Sequence, residues 1–303
     1  MEFIARYIMQ GRTQAMVVAS SLALLSLLMP PISIVSSAAV ALVTLRHGSY
    51  EGLLVLLSAS IASALLGLMV LGDYQFAFGY ALVLWLPVWV LSIVLREGRH
   101  LSLALEIASV LGVFGVLGFY LFVDSPADYW QGILNTVIEP MRQAQDIPLE
   151  QITDMLVIVS KYMTGILAAG AISGLLLGLL LARFWQSKLY NPGGFKAEYL
   201  SLFMPSRFTL ASLGVVLIAL VASGVIAEIA ANIGVIIFML YSFIGTAIVH
   251  VLISVMKAKR FLLPFFYMLL FVIPHIILPV ALLGIADTWL NLRTRIQPPK
   301  STE

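Results

Sequence analysis

Long apolar runs separated by short polar breaks set the pattern of this chain. Continuous apolar segments cover 51–72, 74–95, 101–123, 152–182, 208–227, 233–256 and 261–283. Each holds about twenty residues or more, enough to cross ~30 Å of hydrocarbon as helix at ~1.5 Å per residue. The runs do not alternate between apolar and polar positions, which excludes the strands of a membrane β-barrel. The stretch 15–45 is apolar throughout but interrupted by Pro30-Pro31, a pair that stops a helix or bends it sharply. Its halves of about fifteen residues reach only ~22 Å, so a short or re-entrant proline-broken hairpin is expected at the N-terminus. The last run carries Pro264, Pro274 and Pro279 and reads either as one pass or as a second broken hairpin. The expected fold is all-α: a polytopic transmembrane helical bundle of about eight to ten membrane segments, forming a single integral membrane domain over 1–303.

Composition agrees. Hydrophobic residues make up 61% and charged residues 11% of 303, against roughly 45–50% and about 25% in a soluble domain. So few charges do not cover a water-soluble fold of this size. With no cysteine, disulfides, thiolate chemistry and Cys-ligated metals are excluded. Arg6 and Arg12 before the first apolar run give Met1–Leu28 some likeness to a secretory signal, but the apolar segments that follow favour a retained anchor.

Charge placement sets the expected orientation, because Lys and Arg are retained on the cytoplasmic side. Basic residues cluster at Arg6/Arg12, Arg46, Arg96/Arg99, the 183–207 connector and Lys257/Lys259/Arg260. Asp73, an acid-rich stretch from Asp124 to Asp154, and Glu228 lie between them. The expected location is a bacterial cytoplasmic (inner) membrane with the N-terminus inside, 124–151 as an extracytoplasmic cap and 183–207 as a cytoplasmic connector. A 152–182 helix that starts at Pro148 would run ~50 Å, longer than the hydrocarbon. Its first turns, with Glu150 and Asp154, are therefore expected to project outward and join the cap. Trp130, Ile133, Val137 and Ile138 suggest an interfacial helix there.

Motifs for chemistry are missing. No GxxxxGK[ST] cradles a nucleotide, no HExxH is present, and His47, His100, His250 and His275 lie on different segments. The sequence GAISG at 170–174 has its serine beside the second glycine, unlike a nucleophile elbow. No enzyme activity, cofactor, metal or nucleic-acid partner is expected. Ionisable groups at membrane depth are the functional candidates. Lys161 and Asp154 share a helix face two turns apart, so with Trp130 from the cap they suit an anionic ligand, or an ion pair near the interface. Glu106 either pairs with the Arg96–His100 edge or meets ligand; His275 either bonds a neighbouring helix or relays protons. Glu228 and Asn232 read as flanks of a tight outer turn.

Gly170, Gly174 and Gly178 form GxxxGxxxG, and Gly112, Gly115 and Gly118 form a second smooth face. Such faces let backbones approach, within the chain or against a partner. The connector, RFWQSKLYNPGGFKAEYLSLFMP at 183–205, has Phe184, Trp185 and Tyr190 suited to an aromatic belt. Asn191, Pro192, Gly193 and Gly194 form a turn, and a short membrane-facing helix from Phe195 follows.

This connector, the tail LLGIADTWLNLRTR at 282–295 and the early proline break followed by LRHG at 45–48 resemble domain-of-unknown-function family 2232, the YybS-like bacterial membrane proteins. That family is distantly similar to the S components of energy-coupling-factor vitamin transporters, which bind a small molecule near the outer face and dock through small-residue helix faces. The resemblance implies a membrane-embedded small-molecule binding or transport component without its own ATPase. The 124–161 cap then acts as a ligand lid, and the glycine faces, with Trp185 and the 191–194 turn, dock a membrane protein or a second copy. The alternative is a non-transporting scaffold or assembly factor.

Overall fold

The computed structural model describes residues 2–144, 149–256 and 259–296, and all regular structure among them is helical. In hydrocarbon only a helix satisfies every backbone group within its own segment. In chain order the helices are α1 (Glu2–Ile8), α2 (Arg12–Leu25), α3 (Ile32–His47), α4 (Ser49–Leu71), α5 (Gln75–Tyr80), α6 (Leu86–Gly98), α7 (Leu101–Phe122) and α8 (Pro126–Ala144). They continue with α9 (Leu149–Tyr190), α10 (Gly194–Leu200), α11 (Ser206–Val221), α12 (Gly224–Ser254), α13 (Lys259–Val272), α14 (Ile277–Leu290) and α15 (Leu292–Ile296). A π turn at Ala81–Trp85 joins α5 to α6. Pro87 follows it, and a proline gives no N–H to the turn before it and crowds that turn's carbonyl, so the helix widens there.

Among the described residues five helices are long and apolar enough to cross a membrane: Ser49–Leu71, Gln75–Gly98, Leu101–Phe122, Thr153–Tyr190 and Gly224–Ser254. A sixth arises if Arg260–Val272 and Pro274–Leu290, bent by 114°, count as one. This is fewer than the eight to ten segments expected. Arg12–Leu25, Ile32–His47 and Ser206–Val221 have 14, 16 and 16 residues, and at ~1.5 Å per residue they fall short of ~30 Å. At 42 residues α9 is longer than its apolar run, about 63 Å.

The chain forms two compact units: 1–108 with 171–202, and 109–170 with 203–303. In the first, Ala15, Ala19 and Ala23 line one face of α2 and are fully or almost fully buried, which lets α3 come close. Ser36 of α3 donates to Ala19 O at 2.7 Å, and Trp85 Nε1 donates to Ser36 Oγ at 3.2 Å. Arg12 grips Glu51 with two bonds of 2.6 and 2.5 Å, tying α2 to α4.

In the second unit the closest approach is α12 against α14. A Cβ on Gly245 would stand 1.8 Å from Val280 O, and one on Gly284 2.4 Å from Tyr241 O. The Tyr241 hydroxyl donates to Thr209 Oγ1 at 2.8 Å, fixing α11 to the same pair. Beyond α14, Asn291 takes a left-handed φ of 46°. Asp287 accepts from the Leu292 N–H at 2.8 Å and from Arg293 at 3.0 and 2.6 Å. The glycine, aspartate and arginine of the tail motif are therefore a helix contact and a C-terminal lock.

Candidate functional site

The second unit contains a polar hub at the fully buried side chain of Asn232. Its Oδ1 accepts the Gly165 N–H at 2.6 Å, and its Nδ2 lies 2.8 Å from Lys161 O, 2.8 Å from Glu228 O and 3.1 Å from the Tyr120 hydroxyl. Lys161 O and Gly165 N–H are acceptor and donor of one rung of α9, so the amide of α12 engages both ends of a neighbouring helix's rung. Gly165 makes this possible, because a Cβ there would stand 2.4 Å from Asn232 O. Helix α8 is fastened beside it. Trp130 Nε1 donates to Thr164 Oγ1 at 2.8 Å, and its ring stacks on Phe119 at 5.3 Å with Tyr129 edge-on at 5.1 Å.

Next to the hub along α9 and α12 lies an apolar cleft of about 570 Å³. Ile166 and Gly170 of α9, Leu220 of α11, Gly234 and Phe238 of α12 and Leu278 of α14 are among its walls. Gly170 and Gly234 in this wall have no atom within 4 Å of an ideal Cβ, space that larger side chains would fill.

In the first unit the C-terminal ends of α3, α6 and α9 border a polar cleft of about 520 Å³. Helix C-termini present carbonyls without intrahelical donors, and arginine and glutamine serve them here. Arg96 Nη1 and Gln186 Nε2 both donate to Leu45 O, at 2.7 and 3.2 Å. Arg183 forks onto Glu198 of α10, with one bond of 2.8 Å and a shorter one to the other oxygen. Ser187 closes the elbow between α9 and α10, donating to Asn191 O at 2.7 Å and accepting the Phe195 N–H at 3.0 Å. The turn takes a positive φ of 91° at Gly193. Arg46 lies 4.0 Å over the Tyr190 ring. Arg99 ends α6 with φ 56°, a left-handed conformation that costs a residue with a Cβ ~1–2 kcal/mol.

A family described as predicted membrane protein (DUF2232) matches residues 17–288. The chain belongs to DUF2232. No curated protein and no solved structure matches it. Both the Asn232 hub and the arginine-lined cleft lie inside the span matched by DUF2232.

In this DUF2232 chain Trp130 is half-buried at the hub, and Lys161 contributes its carbonyl there while its side chain is exposed. Asp154, also exposed, lies two turns before Lys161 on α9, and His275 is exposed in the turn between α13 and α14. Glu106 is half-buried in the first unit. None of these five lines the apolar cleft. The glycine run divides: Gly170 borders that cleft, Gly174 has no atom within 4 Å of an ideal Cβ, and Gly178 packs on Ser37 Oγ within the first unit. Trp185, expected in an aromatic belt, is 1% exposed; it sits in the core because its face of α9 turns inward, with Ala182 one turn before it and Leu179 a turn further back equally buried. Asn191, Pro192 and Gly193 are exposed and Gly194 is half-exposed. Asn232 does not flank the outer turn: that turn lies at Ala222–Ser223, before Gly224 with φ 65°, and Asn232 belongs to α12. An amide within an apolar run is the signal that marks it, since such groups bridge helices in lipid.

Proposed function

We propose that this DUF2232 chain is a membrane-embedded component that binds a small, largely apolar molecule, for storage or transport, without an ATPase of its own. The apolar cleft of the second unit carries the reading. Its volume of about 570 Å³ lies within the ~300–1,000 Å³ of small-molecule sites, and its walls suit an acyl or isoprenoid-like body. The ligand's polar head lies toward Lys161, with Asp154 and Trp130 on the same end. On the orientation drawn from the basic clusters, that end faces outward beneath a cap that includes α8, in a bacterial inner membrane with the N-terminus inside; residues 145–148 of the expected 124–151 cap lie outside the described residues. The pair α2–α3 then forms a re-entrant hairpin, and the arrangement parallels S components of energy-coupling-factor transporters.

The test uses the detergent-purified full chain with photoactivatable fatty acid as probe. Crosslinks are expected within 166–170 and 234–239. Gly234→Leu is expected to reduce them at least tenfold while the protein still folds, because no atom lies within 4 Å of an ideal Cβ at Gly234. Lys161→Gln is expected to weaken capture of the acid but not of the matching alcohol. Undiminished crosslinking in a folded Gly234→Leu variant would remove the cleft from consideration.

A second reading, a scaffold for another membrane protein, rests on the open surface at Gly174. It expects a stoichiometric partner on affinity purification that Gly174→Leu releases. Retention of that partner by the variant would exclude this face.

A further inference from the structure

We propose a second binding site, independent of the apolar cleft, in which the arginines of the first unit hold a phosphate group. Four arginines, Arg46, Arg96, Arg99 and Arg183, and two glutamates, Glu97 and Glu198, border the polar cleft, so four positive against two negative charges leave a formal surplus of +2. The carboxylates do not spread evenly. Glu198 is taken by the Arg183 fork. Glu97 is 75% exposed and comes no nearer than 3.9 Å to Arg96 Nε. The surplus therefore sits on Arg46, Arg96 and Arg99.

Anchoring makes this a built site as well as a basic surface. Arg96 is held by Leu45 O, which Gln186 also approaches, and Arg46 lies over the Tyr190 ring at 4.0 Å from its centre. Neither contact uses up a guanidinium, which carries five N–H donors. Capping of helix ends explains Arg96, and pairing with Glu198 explains Arg183. Neither explains Arg99, which keeps a left-handed backbone at the last turn of α6 where glycine is the unstrained choice. Arg99 itself borders the cleft. Phosphate is the group that fits, because guanidinium forks match its oxygens two at a time. A carboxylate offers two oxygens, too few for three such groups. The phosphate comes either from a lipid headgroup or from a soluble phosphate ester, since the cleft lies at the helix ends.

The experiment measures melting and retained ligand on the full chain. One arm adds inorganic phosphate to detergent-purified protein against chloride at matched ionic strength. The other compares nanodiscs of phosphatidylglycerol with those of phosphatidylcholine, with native mass spectrometry of carried lipid. Wild type is expected to melt several degrees higher in at least one arm. A response to phosphate assigns a soluble ester, and a response to phosphatidylglycerol alone assigns a headgroup. Arg99→Gly is the informative variant: it relieves the strained backbone, so its melting without ligand should equal or exceed that of wild type, while affinity falls at least tenfold. Arg6→Gln, outside the cleft, should respond as wild type. Absence of response in both arms, an Arg99→Gly response equal to wild type, or an equal loss in Arg6→Gln would overturn the site.

Discussion

Gly245→Leu is expected to abolish recovery of folded protein, and Gly245→Ala to lower its stability by about 3 kcal/mol or more, at or beyond the upper end of ordinary overpacking. The argument rests on what an added Cβ meets. It would stand 1.8 Å from Val280 O and 2.7 Å from Val280 C, and both are backbone atoms. A flexible side chain would rotate away; a carbonyl within α14 moves only with its helix. Displacing α14 also disturbs Gly284, whose own Cβ position lies 2.4 Å from Tyr241 O, and through Tyr241 the bond to Thr209 at 2.8 Å. In lipid no hydrophobic gain compensates, because association there depends on close packing. Gly214→Ala supplies the control, as no atom lies within 4 Å of its Cβ position; it should stay within about 0.5 kcal/mol of wild type. The measurement is thermal unfolding in detergent with size-exclusion profiles. Equal melting of Gly245→Ala and Gly214→Ala would refute the close approach.

The contrast between these glycines shows which information the sequence holds. Apolar runs located the long helices, Pro30-Pro31 the break between α2 and α3, and Asn191 to Gly194 the turn before α10, because each depends on neighbours in the chain. Helix-on-helix contact does not. Gly170, Gly174 and Gly178 drew notice by their spacing, yet Gly178 alone of the three packs against another helix in close contact. Gly165, Gly245 and Gly284 make the tightest approaches in the second unit with no spacing to mark them, since each meets a carbonyl far away in sequence. The expected eight to ten segments exceed the five or six long apolar helices among the described residues for a related reason: hydropathy measures how apolar a run is, not where its backbone bends.

The two clefts differ in the same way. Ile166, Leu220 and Leu278 border the apolar one, and nothing local separates a leucine facing a cavity from a leucine facing lipid. The polar cleft was half legible. The basic clusters at Arg46, Arg96/Arg99 and Arg183 were expected on one side of the membrane, and the first unit brings them around one space. Their convergence on Leu45 O depends on side-chain reach, which charge counting does not contain.

Asn232→Ala is expected to lower stability by about 2–3 kcal/mol, and the size follows from what the amide serves. Hydrogen bonds between helices in lipid average ~0.6 kcal/mol and reach ~1.7. Asn232 engages the Gly165 N–H, Lys161 O and the Tyr120 hydroxyl on other helices and Glu228 O on its own, its two amide hydrogens shared among the three acceptors, so about three average interhelical bonds and a small void reach that range. The loss is not larger, because Gly165 N–H and Lys161 O are partners in one rung and satisfy each other once the amide is gone. Tyr120→Phe removes one of the four contacts and should cost under about 1 kcal/mol. Asn232→Asp should exceed the alanine variant: an ionised carboxylate would face the carbonyls of Lys161 and Glu228 at the Nδ2 positions, 2.8 Å away in each case, with no donor to offer them. Hydrogen exchange supplies a second readout. Amides at 161–166 should exchange faster in Asn232→Ala, because that turn of α9 loses its cross-link to α12. If the alanine variant melts with wild type and those amides keep their protection, the hub holds nothing together. The close contact at Gly165 would then rest on helix packing alone.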